Sequence, residues 1–176
     1  DAGADAIVMN ASGCGVMVKD YGHLLRNDPT YAERAAHVSA RTLDLIEWLL
    51  PRITALAPSA ASGVGPPVTK PARLAFHPPC TLQHGMKIRG QVEEILLAIG
   101  HSLLPVADTH LCCGSAGTYS VLQPEIAGVL KTNKLRALEA SRPNVIVSAN
   151  IGCITHLESG TRTPVKHWIE LLDSRM

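Results

Sequence analysis

Short apolar runs alternate with amphipathic segments along this chain of 176 residues. Residues 5–11 are apolar and are typical of a buried strand, which ends in a tight loop that contains Cys14. Residues 16–25 then predict a helix. A longer helix, with an apolar face of roughly heptad spacing, is predicted to begin at Pro29 and to end at Pro51.

The second half of the chain repeats this alternation. Its predicted elements are a strand at 73–77, a helix at 92–99, a strand at 103–106, a helix at 123–140, a strand at 144–149 and a final strand and helix within 164–172. In the helix at 123–140, we expect Ile126, Val129, Leu130 and Leu138 to be buried. Strands that alternate with helices predict an α/β fold, with a mainly parallel sheet and flanking helices.

A segment rich in proline and glycine separates the two halves. Residues 51–71 contain five prolines and show little periodicity. This composition is typical of an exposed linker, so we predict one there.

Composition and charge exclude several classes of protein. The formal net charge is +1 and basic residues form no run, so the sequence gives no electrostatic support for nucleic-acid binding. No apolar stretch approaches the roughly 20 residues of a membrane span. No signal peptide is visible, and a first residue other than Met suggests a fragment or a processed product.

Five cysteines are scattered along the chain. Their number is odd and too small for the disulfide framework of a secreted domain, which favours a reducing compartment and thiolate ligands. The segment at 110–117 is the strongest candidate for a ligand site, because the adjacent Cys112 and Cys113 are followed directly by Gly114. At a turn, both thiols can point toward one ion or cluster, and Gly114 allows the backbone to approach it closely. We therefore expect a thiolate site for a metal or an iron–sulfur cluster.

Each cysteine follows a predicted strand. In a parallel sheet, ligands collect at the carboxyl ends of the strands, so we expect convergent sites there. The candidate ligands are Cys14, Cys80, Cys112, Cys113 and Cys153. Histidines near these cysteines are further candidates for a ligand or a proton partner, with His110 the best placed among His77, His84, His110 and His156.

The strand and turn before Cys14 are repeated before Cys153. Residues 5–14 align with residues 144–153 with identical residues at four of ten positions. This similarity suggests a duplicated unit. We predict that residues 1–50 are the end of a first copy and that residues 72–176 are a complete second copy. Cys14 then belongs to another site, whose remaining ligands lie upstream.

The order Cys80, Cys112-Cys113-Gly114, Cys153 resembles the cysteine-rich CCG domain family. This domain occurs as a tandem pair in heterodisulfide reductases and in iron–sulfur subunits of flavin-linked dehydrogenases. The segments HPPCTLQHG, HLCCGSAGTYSVLQPE and ANIGCITHLESGTRTPVKHWIELL are similar to the iron–sulfur subunits of glycolate oxidases. NASGCGVMVKDYGHLL resembles the end of their first CCG unit.

The resemblance implies a ligand set and a cofactor. It places the family's cysteines on Cys80, Cys112, Cys113 and Cys153, with Gly114 beside the cofactor. Asn150 and Ala11 depart from the fuller pattern, which has a cysteine at each of these positions. Fuller CCG domains use five cysteines for a noncubane [4Fe–4S] cluster, whereas four thiolates are able to hold a cubane cluster or a zinc ion.

The resemblance also implies a role in electron transfer. Flavin-containing subunits of glycolate oxidase would carry FAD and oxidise glycolate, and this chain would pass the electrons to a quinone or another acceptor. The implied location is cytoplasmic, or peripheral at the inner membrane. Two alternatives stay open: a structural zinc or metal-free module that docks onto the flavin subunit, and a thiol–disulfide redox site as in heterodisulfide reductase.

Overall fold

The computed structural model describes residues 3–56 and 70–173. The first segment contains a two-stranded parallel sheet, formed by β1 (Ile7–Met9) and β2 (Thr42–Asp44). The same segment contains four helices. They are α1 (Ser12–Lys19), α2 (Tyr21–Leu24), α3 (Ala32–Arg41) and α4 (Leu45–Leu56).

The second segment is built on a four-stranded parallel sheet with the strand order β4, β3, β5, β6. Its strands are β3 (Arg73–His77), β4 (Ser102–Leu103), β5 (Val145–Ser148) and β6 (Val165–His167). Its helical elements are a π-helical turn (Thr81–Gly85), α5 (Gln91–Ala98), α6 (Tyr119–Leu122), α7 (Pro124–Glu139), α8 (Ile151–Glu158) and α9 (Trp168–Asp173). These elements confirm the predicted α/β fold. In the described ranges no helix is long and apolar enough to cross a bilayer.

Both faces of the four-stranded sheet are buried. Successive side chains of a strand point to opposite faces, so β3 contributes to two cores. Phe76 packs in one core with Trp168, and Ala75 packs in the other. That second core includes Cys113 and Cys153, so two of the candidate ligands are part of the packed interior.

The first segment lies against the carboxyl edge of the four-stranded sheet. The backbone N–H of Ser12 donates to the carbonyl oxygen of Ala149 over 3.2 Å, and the hydroxyl groups of Ser12 and Thr81 share a hydrogen bond of 2.8 Å. Ile46 of α4 is fully buried in the same core as Trp168. The two segments therefore share a core and meet where β3 and β5 end.

The predicted single helix between Pro29 and Pro51 is wrong. It is divided into α3 and α4, because β2 is extended and pairs with β1 from Ile7↔Thr42 to Met9↔Asp44. The helix also continues past Pro51, and Ile53 packs in the core beyond it. Residues 51–56 of the predicted linker are thus helical, and residues 57–69 lie outside the described residues.

The start of the chain also differs from the prediction. β1 has three residues and is only partly buried, since the side chain of Val8 is 39% exposed. The loop predicted around Cys14 is helical, because α1 begins at Ser12. The thiol of Cys14 is exposed on this helix.

Helix α7 buries a different face from the predicted one. Leu138 is fully buried as predicted, but Ile126 and Val129 are 52% and 60% exposed. The buried face contains Ala127 and Lys134 instead. The ammonium group of Lys134 finds backbone carbonyl groups inside the protein, which a pattern of apolar and polar residues does not show.

Asp44, at the end of β2, is a buried carboxylate. Burial raises its pKa to about 6, although the backbone N–H of Ile46 donates to Oδ1 over 3.1 Å. The folded pKa therefore lies above the unfolded value of about 3.9. The folded state binds the extra proton between these values, so stability falls as the pH rises through them, and the cost persists at neutral pH.

We expect Asp44→Asn to raise the free energy of unfolding at pH 7.5 by about 1–3 kcal/mol, because it removes the buried charge and keeps the oxygen acceptor. The gain should shrink markedly at pH 4. Urea denaturation at both pH values measures the change in the free energy of unfolding. Asp5→Asn, at an exposed position, is the control and should leave this free energy unchanged at both pH values. An equal effect of Asp44→Asn at the two pH values would contradict the expectation.

Candidate metal centre

The carboxyl edge of the four-stranded sheet brings the cysteines together. Cys80 follows β3 after the rigid Pro78-Pro79 pair, and Cys153 lies near the start of α8, just after β5. β3 and β5 are parallel neighbours in which His77 pairs with Ser148, so these two cysteines reach the same edge. Cys112 and Cys113 come from the long connection between β4 and α6.

Two buried side chains hold the connection that carries the adjacent cysteines. Gln83 Nε2 donates to the carbonyl oxygens of Pro78 and Thr109, over 3.1 and 3.0 Å. Lys134 Nζ donates to the carbonyl oxygens of Asp108 and Thr109, over 2.8 and 3.1 Å. The connection is thus fixed both to the turn that bears Cys80 and to α7.

His77, Cys113 and Cys153 form the centre of the site. One ligand atom from each lies within 4.8 Å of the other two. These residues are 0%, 1% and 5% exposed. Neither ring nitrogen of His77 makes a well-formed hydrogen bond among the described residues, although the ring is close enough to Cys153 to help lower the pKa of that thiol. A buried polar group without a good partner is costly, so these nitrogens fit a site that receives a metal.

Cys80 and Cys112 extend this group into a row of four sulfurs. Neighbouring thiols interact in the order Cys80, Cys112, Cys113 and Cys153. The interaction with Cys113 lowers the pKa of Cys112 and of Cys153. The same interactions between neighbours, together with burial, raise the pKa of Cys80 and Cys113. A thiol with a lowered pKa loses its proton more readily, and the thiolate is the form that binds metal.

Gly114 brings the backbone against the sulfurs. Its N–H donates to Cys112 Sγ over 3.3 Å, as expected for a loop that offers donors to the site. Its φ is +92°, and a Cβ here would lie 2.5 Å from the carbonyl oxygen of Ala127. Only glycine fits this position, because the backbone packs closely against Ala127, whereas the close approach of Gly114 to an ion or cluster stays a prediction.

Asn150 stands where the fuller CCG pattern has a cysteine. Its Nδ2 donates to Cys153 Sγ over 3.4 Å, and its Oδ1 accepts from the N–H of Gly13 over 3.1 Å. Ala11, at the other departing position, is a buried residue just before α1. Asn150 therefore gives the site an N–H donor instead of a thiolate, and it also connects the two segments.

The structure places His77 at the sulfurs rather than His110. The side chain of His110 is exposed. His84 is also exposed, and His156 lies with Nε2 3.4 Å from the carbonyl oxygen of Ala127. His77 differs from the other three because it is the last residue of a central strand, and this position is the sequence signal that identifies it.

Cys14 lies apart from the other cysteines, and Lys134 is a buried residue near the site that the sequence does not indicate. Cys14 is exposed and belongs to no group of three or more potential metal ligands in the described part of the chain. Its assignment to a separate site stays a prediction. Lys134 was not predicted at all, because its only sequence signal is that it shares a helical face with Leu138.

Comparison with known proteins relates the chain to redox subunits. Residues 74–158 match the family model of the cysteine-rich domain CCG. Over all 176 residues, the chain is 49% identical to the glycolate oxidase iron-sulfur subunit of Escherichia coli (strain K12), of which it spans 41%. It is 28% identical to lactate utilization protein A of Geobacillus thermodenitrificans (strain NG80-2), with 99% of this chain and 72% of that protein aligned. It is 29% identical to the probable glycolate oxidase iron-sulfur subunit of Bacillus subtilis (strain 168), with 89% of this chain and 34% of that protein aligned.

We expect Gly114→Ala to destabilise the protein by about 3 kcal/mol or more, because it combines a left-handed backbone with a clash against Ala127. Gly117→Ala is the matched control. Gly117 also has a positive φ, +60°, but no atom lies within 4 Å of the added Cβ, so the control should lose only about 1 kcal/mol. Urea denaturation of the two variants measures the difference, and equal losses would contradict the assigned contact.

Proposed function

Residues 74–158 belong to the cysteine-rich CCG domain family, and from this premise we propose that the chain is the electron-transfer part of an iron–sulfur subunit in a flavin-linked 2-hydroxy acid dehydrogenase. The observation that carries the proposal is the group of His77, Cys113 and Cys153, whose ligand atoms lie within 4.8 Å of one another at a single sheet edge, with Cys112 and Cys80 interacting with this group. The similarity to a glycolate oxidase iron-sulfur subunit supports the redox assignment.

We assign Cys80, Cys112, Cys113 and Cys153 as thiolate ligands and His77 as a fifth donor. Thiolates are the usual ligands of iron–sulfur clusters, and histidine replaces cysteine in some of them. The ring nitrogens of His77, which make no well-formed hydrogen bond among the described residues, fit such a group. The proposed cofactor is a [4Fe–4S] cluster, which, when bound, takes up one electron and passes it on.

The surrounding residues would control the charge and hydration of this group. Burial of Cys113 and Cys153 keeps water from one side of the site, while Cys80 and Cys112 are only partly buried. The N–H groups of Gly114 and Asn150 donate to sulfur. Such donors stabilise added negative charge, so they favour the reduced form of the site.

Substrate oxidation would belong to partner subunits. We propose that flavin-containing subunits with bound FAD oxidise a short 2-hydroxy acid, with glycolate the first candidate, and that a quinone or another acceptor receives the electrons. Lactate utilization protein A is among the similar proteins, which is why the proposal extends to the class of 2-hydroxy acids. Five free cysteines suit a reducing location, which we take to be the cytoplasm or the inner face of the inner membrane.

We also propose the tandem organisation, with residues 1–50 from a first CCG unit and residues 72–176 as the second. The turn before α1 and the turn before α8 support it, because Ala11 and Asn150 adopt similar extended conformations, with φ/ψ of −129°/108° and −149°/121°. Each then leads into a helix whose third residue is a cysteine, Cys14 or Cys153. On this proposal, Cys14 is a ligand of the first unit's own site.

A zinc module is the second candidate. His77, Cys113 and Cys153 are a typical donor combination for structural zinc, and Cys112 or Cys80 would complete four ligands. The chain would then act as a docking module for the flavin subunit. This alternative predicts zinc without iron or sulfide.

Cys113→Ser should reduce the iron and sulfide content of anaerobically prepared protein at least tenfold, because one of the two middle sulfurs of the row is lost. Iron, sulfide and zinc analysis with visible and EPR spectra measures it. Cys14→Ser, the exposed cysteine, should keep the content of this site. Unchanged iron in Cys113→Ser would disprove the ligand assignment, and zinc alone in the wild-type protein would favour the docking module.

His77→Leu should separate metal binding from folding. The side chains are similar in size, and leucine removes two buried nitrogens that lack well-formed hydrogen bonds. We therefore expect metal-free His77→Leu to be as stable as the wild-type protein, or more stable by about 1 kcal/mol, in urea denaturation. Its metal content after reconstitution should fall. A variant that keeps its metal but loses stability would show that His77 serves only in packing.

A further inference from the structure

Lys134 is a buried lysine without a carboxylate partner. Its side chain lies on the inner face of α7 and the residue is only 2% exposed. In the described residues, no carboxylate oxygen lies within ion-pair distance of Nζ. Lysine is rarely buried unless it is paired, since burial of an ammonium group costs several kcal/mol.

Backbone carbonyl groups take the place of a carboxylate. Nζ donates to the carbonyl oxygens of Asp108 and Thr109, which lie shortly before the adjacent cysteines. Asp108 adopts a left-handed conformation with φ +50°, which is unusual for a residue other than glycine. Lys134 therefore holds the left-handed turn at Asp108, four residues before Cys112.

The same ammonium group lies next to the cysteine site. Lys134 and Cys112 line one cavity of about 510 Å³. Burial lowers the pKa of Lys134, but the charges of Cys113, Asp108, Cys112 and Cys153 favour its protonated form. Three of these four groups are proposed ligands, so the lysine and the sulfurs stabilise each other's charges.

We infer that Lys134 is a positioning residue that acts as the buried counter-cation of the cysteine site. Its hydrogen bonds fix the turn before Cys112, and its positive charge offsets the negative charge of the thiolates and of the group they hold. This inference rests on the proposed function. The inference goes beyond the proposed function because it assigns the positive charge that balances the site to a residue that binds no metal.

The charge has a measurable consequence for the proposed cluster. Reduction adds one electron, so a nearby buried cation stabilises the reduced state more than the oxidised state. Loss of the cation should therefore lower the reduction potential. A lysine that served only to hold the turn would leave the potential unchanged when the turn is kept.

The experiment uses the reconstituted, cluster-loaded chain in an anaerobic redox titration followed by EPR. Lys134→Met removes the charge and the hydrogen bonds, Lys134→Gln keeps an N–H donor without the charge, and Lys134→Arg keeps the charge. Lys131→Met is the matched control, because Lys131 lies one turn earlier on α7 and bonds to Ser159 over 2.8 Å.

At the wild-type midpoint potential, Lys134→Met and Lys134→Gln should lower the ratio of reduced to oxidised cluster at least tenfold, or about 59 mV for one electron. Lys134→Arg and Lys131→Met should change it less than threefold. If Lys134→Met does not fold, Lys134→Gln decides the question, and a wild-type potential in Lys134→Gln overturns the inference while the proposed function stands. Wild-type protein that takes up no iron and sulfide overturns both.

Discussion

The structure depends on the burial of two thiols and one imidazole, and the removal of these groups from water costs free energy. Cys113 and Cys153 are nearly inaccessible, and His77 is fully buried with neither ring nitrogen in a well-formed hydrogen bond among the described residues. An apolar side chain in place of His77 would be less costly in a protein that only had to fold. Three features bring the thiols and the imidazole together. They are the parallel sheet, the fixed connection before Cys112 and the left-handed backbone of Gly114.

The first segment closes the same edge of the sheet. Asn150 accepts from Gly13 and donates to Cys153, so one side chain joins the contact between the segments to the site. The segments pack closely there, since a Cβ on Gly13 would lie 3.1 Å from Asn150 Oδ1. On the proposed ligand assignment, His77 would take the place of the donor that is missing at Asn150.

The α/β fold and the convergence of four cysteines at one edge of the sheet could be predicted from the sequence, because the carboxyl ends of parallel strands meet at one edge. The choice of His77 over His110 was missed, because both lie close to a cysteine, although the predicted strand at 73–77 already ends at His77. Pairing of β2 with β1 is a long-range contact, so the break in the predicted helix after Pro29 has no local signal. The buried face of α7 was missed because Lys134 obtains its partners from a loop distant in sequence.

Our central proposal is that the cysteine sulfurs at the carboxyl edge of the four-stranded sheet hold iron. Crystals grown without oxygen and measured on both sides of the iron absorption edge test it directly. The account predicts an iron anomalous signal within bonding distance of the sulfurs of Cys112, Cys113 and Cys153. An ordered site with no iron signal, or iron bound elsewhere while these sulfurs stay protonated or disulfide-bonded, would contradict it.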